Sequence, residues 1–197
     1  MNQVKKHTEQ RLTHPFPPLF RPQSSILILG SFPSVKSREQ NFFYGHPQNR
    51  FWKVVAAVFD QEIPLTIPEK KALILDHGLA LWDSIASCVI TGSSDASIRE
   101  VRPNDLRRIL DHCDIRMICC NGRKSHEMYE KYIRPSLGRE ALCLPSTSPA
   151  NAQWSLERLI GAWRVLREAS RLLPFREPDI IGDDGKHDNH GTDDGQR

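Results

Sequence analysis

Apolar residues follow two rhythms along this chain. Short unbroken runs, at Ser25-Ile26-Leu27-Ile28-Leu29, Leu79-Ala80-Leu81-Trp82, Ile115 to Cys120 and Ala141-Leu142-Cys143-Leu144, have the length of strands buried on both faces. Between them the spacing turns helical. Phe51, Trp52, Val55, Val58 and Phe59 share one face of a helix predicted from about Asn49 to Phe59. A second helix is predicted to start at Pro68, where proline suits the first turn, and to stop at Gly78. Leu106, Ile109 and Leu110 stripe a third that begins at Pro103; a fourth is predicted near 123–132, and a last near 154–171 carries Leu156, Leu159, Ile160, Trp163 and Leu166. Strands alternating with helices predict an α/β fold, a three-layer α/β/α sandwich on a central, mostly parallel four-stranded sheet. With right-handed crossovers the strand C-termini share one edge. That edge gathers four polar loops: Ser31–Ser34, Asp83-Ser84, Asn121-Gly122 and Ser146–Asn151. Open α/β sheets build their ligand sites at such an edge.

Length and charge refine this picture. A chain of 197 residues suits one domain with a sizeable core, expected over residues 1–175. Residues 176–197 hold seven acidic residues against Arg176, Lys186 and Arg197, a net −4 that leaves +7 on the rest of a +3 chain. With few apolar residues, this acidic C-terminal tail is expected to be disordered. A basic body fits a polyanionic partner such as nucleic acid, although many solvated surfaces are basic. No apolar run approaches the roughly 20 residues of a membrane span. The polar N-terminus lacks a signal-peptide apolar region, so a cytoplasmic monomer without membrane association is the expectation. The five cysteines form no Cys-x-x-Cys pair, which argues against structural zinc or an iron–sulfur cluster and suits small buried hydrophobes in a reducing compartment.

The polar loops carry a specific pattern. Gly30-Ser31-Phe32-Pro33-Ser34 is followed by Tyr44-Gly45-His46-Pro47-Gln48-Asn49-Arg50-Phe51-Trp52 and closed by Leu144-Pro145-Ser146-Thr147-Ser148-Pro149-Ala150-Asn151. In motif order and spacing, over about residues 15–173, this resembles the uracil-DNA glycosylase superfamily, and it is most similar to the hypoxanthine-DNA glycosylase branch. The resemblance implies a monofunctional enzyme, needing no metal or organic cofactor. Its reaction is to hydrolyse the bond between deoxyribose and a deaminated base, foremost hypoxanthine, in double-stranded DNA. Mismatch-specific relatives share the His-Pro-x-Asn-x-Phe-Trp run but carry a water-positioning asparagine in the first loop, as Gly-Ile-Asn-Pro-Gly. Phe32 stands at that position here, and the hypoxanthine branch gives the role to the position of Asn49. Two alternatives stay open: the same fold acting on uracil or a mismatch, and a nucleic-acid-binding protein without turnover.

The chemistry tells which side chains such a site needs. Breaking a base–sugar bond passes through an oxocarbenium-like transition state. Water then needs positioning more than deprotonation, and the carbonyl oxygen of a neutral amide can position it. Asn49 stands equally where a helix N-cap is expected. Asp83, at a strand end, is a candidate aid to the water or a cap for the following turn; Glu39 is another candidate base. A base flipped out of the stack needs an aromatic face and hydrogen bonds to its edge. Tyr44, where relatives present an aromatic, is the stacking candidate, or a core aromatic beside Phe42 and Phe43. Asn121 offers a donor and an acceptor to the base edge, or turns the chain as Asn-Gly. Ser31 and Phe32 complete the base-binding set. His46 suits a phosphate or the departing base, or a rigid turn beside proline. Ser146, Thr147 and Ser148 resemble the motif that grips the DNA backbone, and a serine-rich turn is their other reading. Asn151 contacts DNA or caps the last helix. Arg50, Arg123 and Lys124 are candidate phosphate partners, or solvated surface. No lysine nucleophile sits in these motifs, so no Schiff-base step is expected.

Overall fold

The four apolar runs form one parallel sheet. It consists of β2 (Ile26–Gly30), β3 (Leu79–Asp83), β6 (Met117–Asn121) and β7 (Leu142–Leu144), in spatial order β3-β2-β6-β7. The structure, a computed structural model, describes residues 9–91 and 97–172. Every residue of β2 and β3 is buried, as expected of strands covered on both faces. At the sheet edge only Leu144 of β7 is buried. The register sets Gly30 beside Asp83 and Asn121 beside Leu144, so the strand ends line up along one rim. The chain runs from β2 to β3 on one side and later returns to β6 on the other side of β2. The sheet therefore has its switch point above Gly30, where doubly wound folds open a crevice.

Helices α1 (Val35–Gln40), α2 (Phe51–Val58) and α3 (Ile67–Leu75) link β2 to β3, and α5 (Arg123–Tyr132) leads from β6 through α6 (Arg134–Leu137) to β7. After β7 come α7 (Leu156–Trp163) and α8 (Val165–Leu172). Thr66 and Glu69 form a capping box at α3, with Pro68 in its first turn. Six of the eight residues of α2 are buried, and α2 packs on α7, with the Phe51 and Trp163 rings 5.8 Å apart and nearly perpendicular. The expected α/β sandwich is the fold observed.

Other expectations need correction. A second sheet, antiparallel in order β1-β4-β5, joins β1 (Glu9–Thr13), β4 (Ile85–Thr91) and β5 (Arg99–Pro103). Its strands lack a continuous apolar run; in β5 only Val101 is partly buried. Pro103 closes β5 instead of opening a helix, and α4 is a single turn, Arg107–Leu110. The last helix is divided at Arg164, which ends α7. Only Ser84 separates β3 from β4, so the chain steps from one sheet to the other at the rim, over a small cluster of Phe32, Ile85, Cys88, Ile90 and Met128. The acidic tail, 176–197, lies outside the described residues. Among the described residues no helix is long and apolar enough to cross a membrane.

Candidate active site

The four polar loops converge on a cleft of about 520 Å³ at the C-terminal rim of the parallel sheet. Ser31, Phe32, Tyr44, His46, Asn49, Asp83, Asn121, Ser146, Thr147 and Ser148 all line it, and Asn151 does not.

Its fixed centre is a relay of two amides and a hydroxyl. Thr147 is wholly buried. Its hydroxyl donates to Asn49 Oδ1 at 2.9 Å and accepts from Asn121 Nδ2 at 2.9 Å, while its N–H donates to Asn121 Oδ1 at 3.0 Å. The Phe51 N–H also donates to Asn49 Oδ1, at 2.9 Å. Both lone pairs of that oxygen are thus engaged, and a backbone N–H cannot be met by an NH₂ group, so the amide has one orientation. Asn49 therefore serves the first turn of α2 and lines the cleft at once, with Nδ2 unengaged among the described residues. Thr147, expected at the DNA backbone, instead spends its hydroxyl inside the protein. Asn121 is tied twice to Thr147, and its remaining N–H approaches the Tyr44 hydroxyl. The following Gly122 has φ +98°, and a Cβ there would stand 2.7 Å from Ser146 Cβ, so close approach of two loops requires glycine.

Arg50 is not a free surface cation. It donates to the carbonyls of Ser148 at 2.7 Å, Asn151 at 3.0 Å, Thr147 at 3.4 Å and Trp154, clamping the last loop to the start of α2. Asn151 donates to the Ser146 carbonyl at 2.9 Å, and Ser155, not Asn151, caps α7. Ser146 and Ser148 accept from the N–H groups of Ser148 and Ala150 at 3.2 and 3.3 Å, the bonds of a serine-rich turn. His46 Nδ1 accepts from the Gln48 N–H at 3.2 Å, which places the ring hydrogen on Nε2. Glu39 is exposed, paired with Lys36 at 2.7 Å and outside the cleft.

A family model described as the uracil DNA glycosylase superfamily matches residues 17–167. The chain belongs to that superfamily. It is similar to two proteins named hypoxanthine DNA glycosylase. One, from Methanosarcina acetivorans, is 37% identical over 145 residues, 73% of this chain and 90% of the relative. The other, from Methanosarcina barkeri, is 29% identical over 150 residues, 75% of this chain and 93% of the relative. A solution NMR structure of a candidate uracil DNA glycosylase from Methanosarcina acetivorans superposes with a TM-score of 0.65 at 31% identity, covering 77% of this chain and 96% of that one.

In this glycosylase Tyr44 takes φ +50° and lays its ring on Phe51, 3.8 Å between centroids and 17° between planes. One of its two faces is therefore covered. Its hydroxyl is buried with no hydrogen-bond partner among the described residues. Burial, and next the Asp83 carboxylate, push the phenol well above its ordinary range, while Asn121 alongside lowers it. Phe32 is buried, with the Arg38 guanidinium 5.9 Å from its ring centre. Asp83 does not cap the following turn. Its Oδ2 lies 2.7 Å from His14 Nε2, and its backbone carbonyl accepts from Asn104 Nδ2 at 2.9 Å.

His14 is the residue that reading the sequence missed. It sits in a proline-broken lead-in with no periodicity, outside the residues that match the family model. The missed clamp role of Arg50 left more of a trace, because Arg-Phe-Trp is part of the long motif.

Proposed function

We propose that this glycosylase hydrolyses the N-glycosidic bond of hypoxanthine in double-stranded DNA, with the base flipped into the cleft and Asn49 positioning the attacking water. The observation that carries this reading is the fixed amide at the cleft wall. Two donors lock Asn49 Oδ1, and the NH₂ end is left to hold a water oxygen with a second lone pair free for C1′. Because the bond is largely broken before attack, a held water is the main requirement, and a preorganised neutral group meets it without a strong base. The amide oxygen, the expected water ligand, is already engaged, so the role passes to Nδ2. No metal or organic cofactor enters this chemistry.

The +7 charge of residues 1–175 favours the DNA phosphates. In this reading His46 Nε2–H and the Ser146 and Ser148 loop meet them, with Ser31, Phe32, Tyr44 and Asn121 around the base; that all of these line one cleft supports it. The names of the two relatives support hypoxanthine over uracil. Single-turnover excision from duplexes with one hypoxanthine or one uracil tests the reading. Wild type should release hypoxanthine selectively, and Asn49→Ala should lose about 10²–10³ in rate. The variant also loses a bond in the first turn of α2, about 1 kcal/mol of stability, so its melting curve is recorded alongside. Release of uracil alone would reassign the substrate. Salt-sensitive DNA binding with no abasic product at enzyme excess would leave a binding protein.

A further inference from the structure

A second set of polar atoms stands in the cleft wall, apart from the water-positioning amide. Asp83 is 5% exposed, and its Oδ2 lies 2.7 Å from His14 Nε2. His14 Nδ1 in turn lies 2.9 Å from the Phe16 carbonyl oxygen. A carbonyl only accepts, so Nδ1 carries a hydrogen, and one further proton lies between Nε2 and Oδ2. Wherever that proton rests, Asp83 Oδ1 is left as an acceptor, a carboxylate oxygen in one case and a carbonyl oxygen in the other. Around His14 the other ring neighbours are Phe16, Phe32, Phe43 and Trp82, at 4.5 to 6.5 Å between centroids. None offers the imidazole an acceptor that competes with Asp83.

Tyr44 complements this acceptor. Its buried hydroxyl meets no acceptor among the described residues, Asn121 approaching it only as a donor that lowers its pKa, and its raised phenol stays a donor. Gly30 lies beside both groups. A Cβ on Gly30 would collide with Asp83 Oδ1 and stand 3.5 Å from Tyr44 Oη. An acceptor and an orphaned donor therefore meet over a rim position that has no side chain.

Deamination creates the matching edge. It replaces the exocyclic amine of adenine or cytosine with a carbonyl and turns the adjacent ring nitrogen from an acceptor into an N–H. Hypoxanthine thus shows N1–H beside O6, whereas adenine shows a bare N1 beside an amine. We propose that Asp83 Oδ1 accepts from N1–H and the Tyr44 hydroxyl donates to O6, so that this pair admits the deaminated base and rejects adenine. The inference rests on the reading that flipped hypoxanthine occupies the cleft. Adenine would set its N1 lone pair against Oδ1, and a buried polar site rejects a mismatched partner far more strongly than an apolar pocket does. Asp83 then reads the base instead of aiding the water, and His14 is a positioning residue that holds Oδ1 toward the cleft.

The test compares single-turnover release of hypoxanthine and of unsubstituted purine, which lacks O6 and has a bare N1, from otherwise identical duplexes. The intrinsic lability of each bond cancels between variants. Asp83→Ala should lose about 10- to 100-fold on hypoxanthine and nothing on purine, whose bare N1 no longer faces Oδ1. Tyr44→Phe removes only a hydroxyl that meets no acceptor, so its packing survives; it should lose about 3- to 10-fold on hypoxanthine and nothing on purine. Asp83→Asn should retain most activity, because its amide can donate to neutral His14 Nε2 and leave its oxygen in the place of Oδ1. An Asp83→Asn protein as impaired as Asp83→Ala would assign Asp83 to proton transfer and overturn the inference. Equal losses on both substrates, or none, would overturn it as well, with hypoxanthine release by wild type leaving the substrate reading intact. A wild type that leaves hypoxanthine in place would overturn both.

Discussion

The hydroxyl of Thr147 offers the sharpest test of how the cleft holds its amide. It joins Asn49 Oδ1 to Asn121 Nδ2, each at 2.9 Å, inside a wholly buried side chain. Thr147→Val keeps the branched shape and deletes the oxygen. Asn121 Nδ2 then loses its acceptor, and a buried donor without a partner costs about 1–3 kcal/mol, which a denaturant titration reads directly. The effect on rate follows from the geometry of Asn49. Two bonds orient its amide, and each contributes a net of about 0.5–1.5 kcal/mol. With one gone, the Phe51 N–H alone holds Oδ1, and about 1.4 kcal/mol of lost orientation is a tenfold loss in the productive population. Thr147→Val should therefore excise hypoxanthine about 3- to 10-fold more slowly in single turnover, well short of the loss in Asn49→Ala. Thr147→Ser keeps the oxygen and should recover most of the rate. A folded Thr147→Val protein working at the wild-type rate would refute the claim that this hydroxyl holds the amide. A loss in the serine variant with the wild-type rate in the valine variant would place the effect in the methyl group.

Two further outcomes follow from the packing around the cleft. Arg50→Met strips donors from four carbonyls and should cost about 3 kcal/mol in a denaturant titration. The slope of log DNA affinity against log salt should stay unchanged, whereas loss of a phosphate contact would lower it by about one. Gly30→Ala drives a Cβ into Asp83 Oδ1, so the carboxyl must leave His14. Overpacking of about 1–3 kcal/mol with collapsed hypoxanthine release is expected, and wild-type rate and stability together would contradict the placement of Asp83.

The sequence revealed those parts of the molecule whose physics is local. Four buried strands announced themselves as apolar runs, and α2 as a helical stripe, because burial on both faces or on one leaves a composition signature. From the parallel connection alone, the loops after Gly30, Asp83, Asn121 and Leu144 had to share a rim, and they do. The antiparallel sheet was invisible because β5 is largely exposed and its register with β4 is irregular. The His14–Asp83 contact joins residues 69 apart in the chain, and nothing local to either residue signals the other. Arg50 read as a surface cation for the same reason: its partners are carbonyls about 100 residues away, and every residue carries a carbonyl.

The site is built to hold neutral groups still. Asn49 lies on the path from β2 to β3, Asn121 ends β6, and Thr147 follows β7, so their relay fixes the amide to the sheet through three separate connections. Ser125, buried at the start of α5, donates to the carbonyls of Leu29 and Gly30 at 2.8 and 2.9 Å. It thereby anchors the strand end on which Asp83 and Tyr44 converge. A reaction that needed a strong base would call for a titratable group at the water, held near its working pH by its neighbours. Here the atoms tied by hydrogen bonds around Asn49 are amide and hydroxyl groups that cannot titrate, and the nearby carboxyl is tied to a histidine. With Asn49 positioning the water as proposed, such an arrangement would gain its rate from preorganisation. Displacing Asn49 should then cost activity in steps that follow its hydrogen bonds, with the graded loss from wild type through Thr147→Val to Asn49→Ala the result to expect.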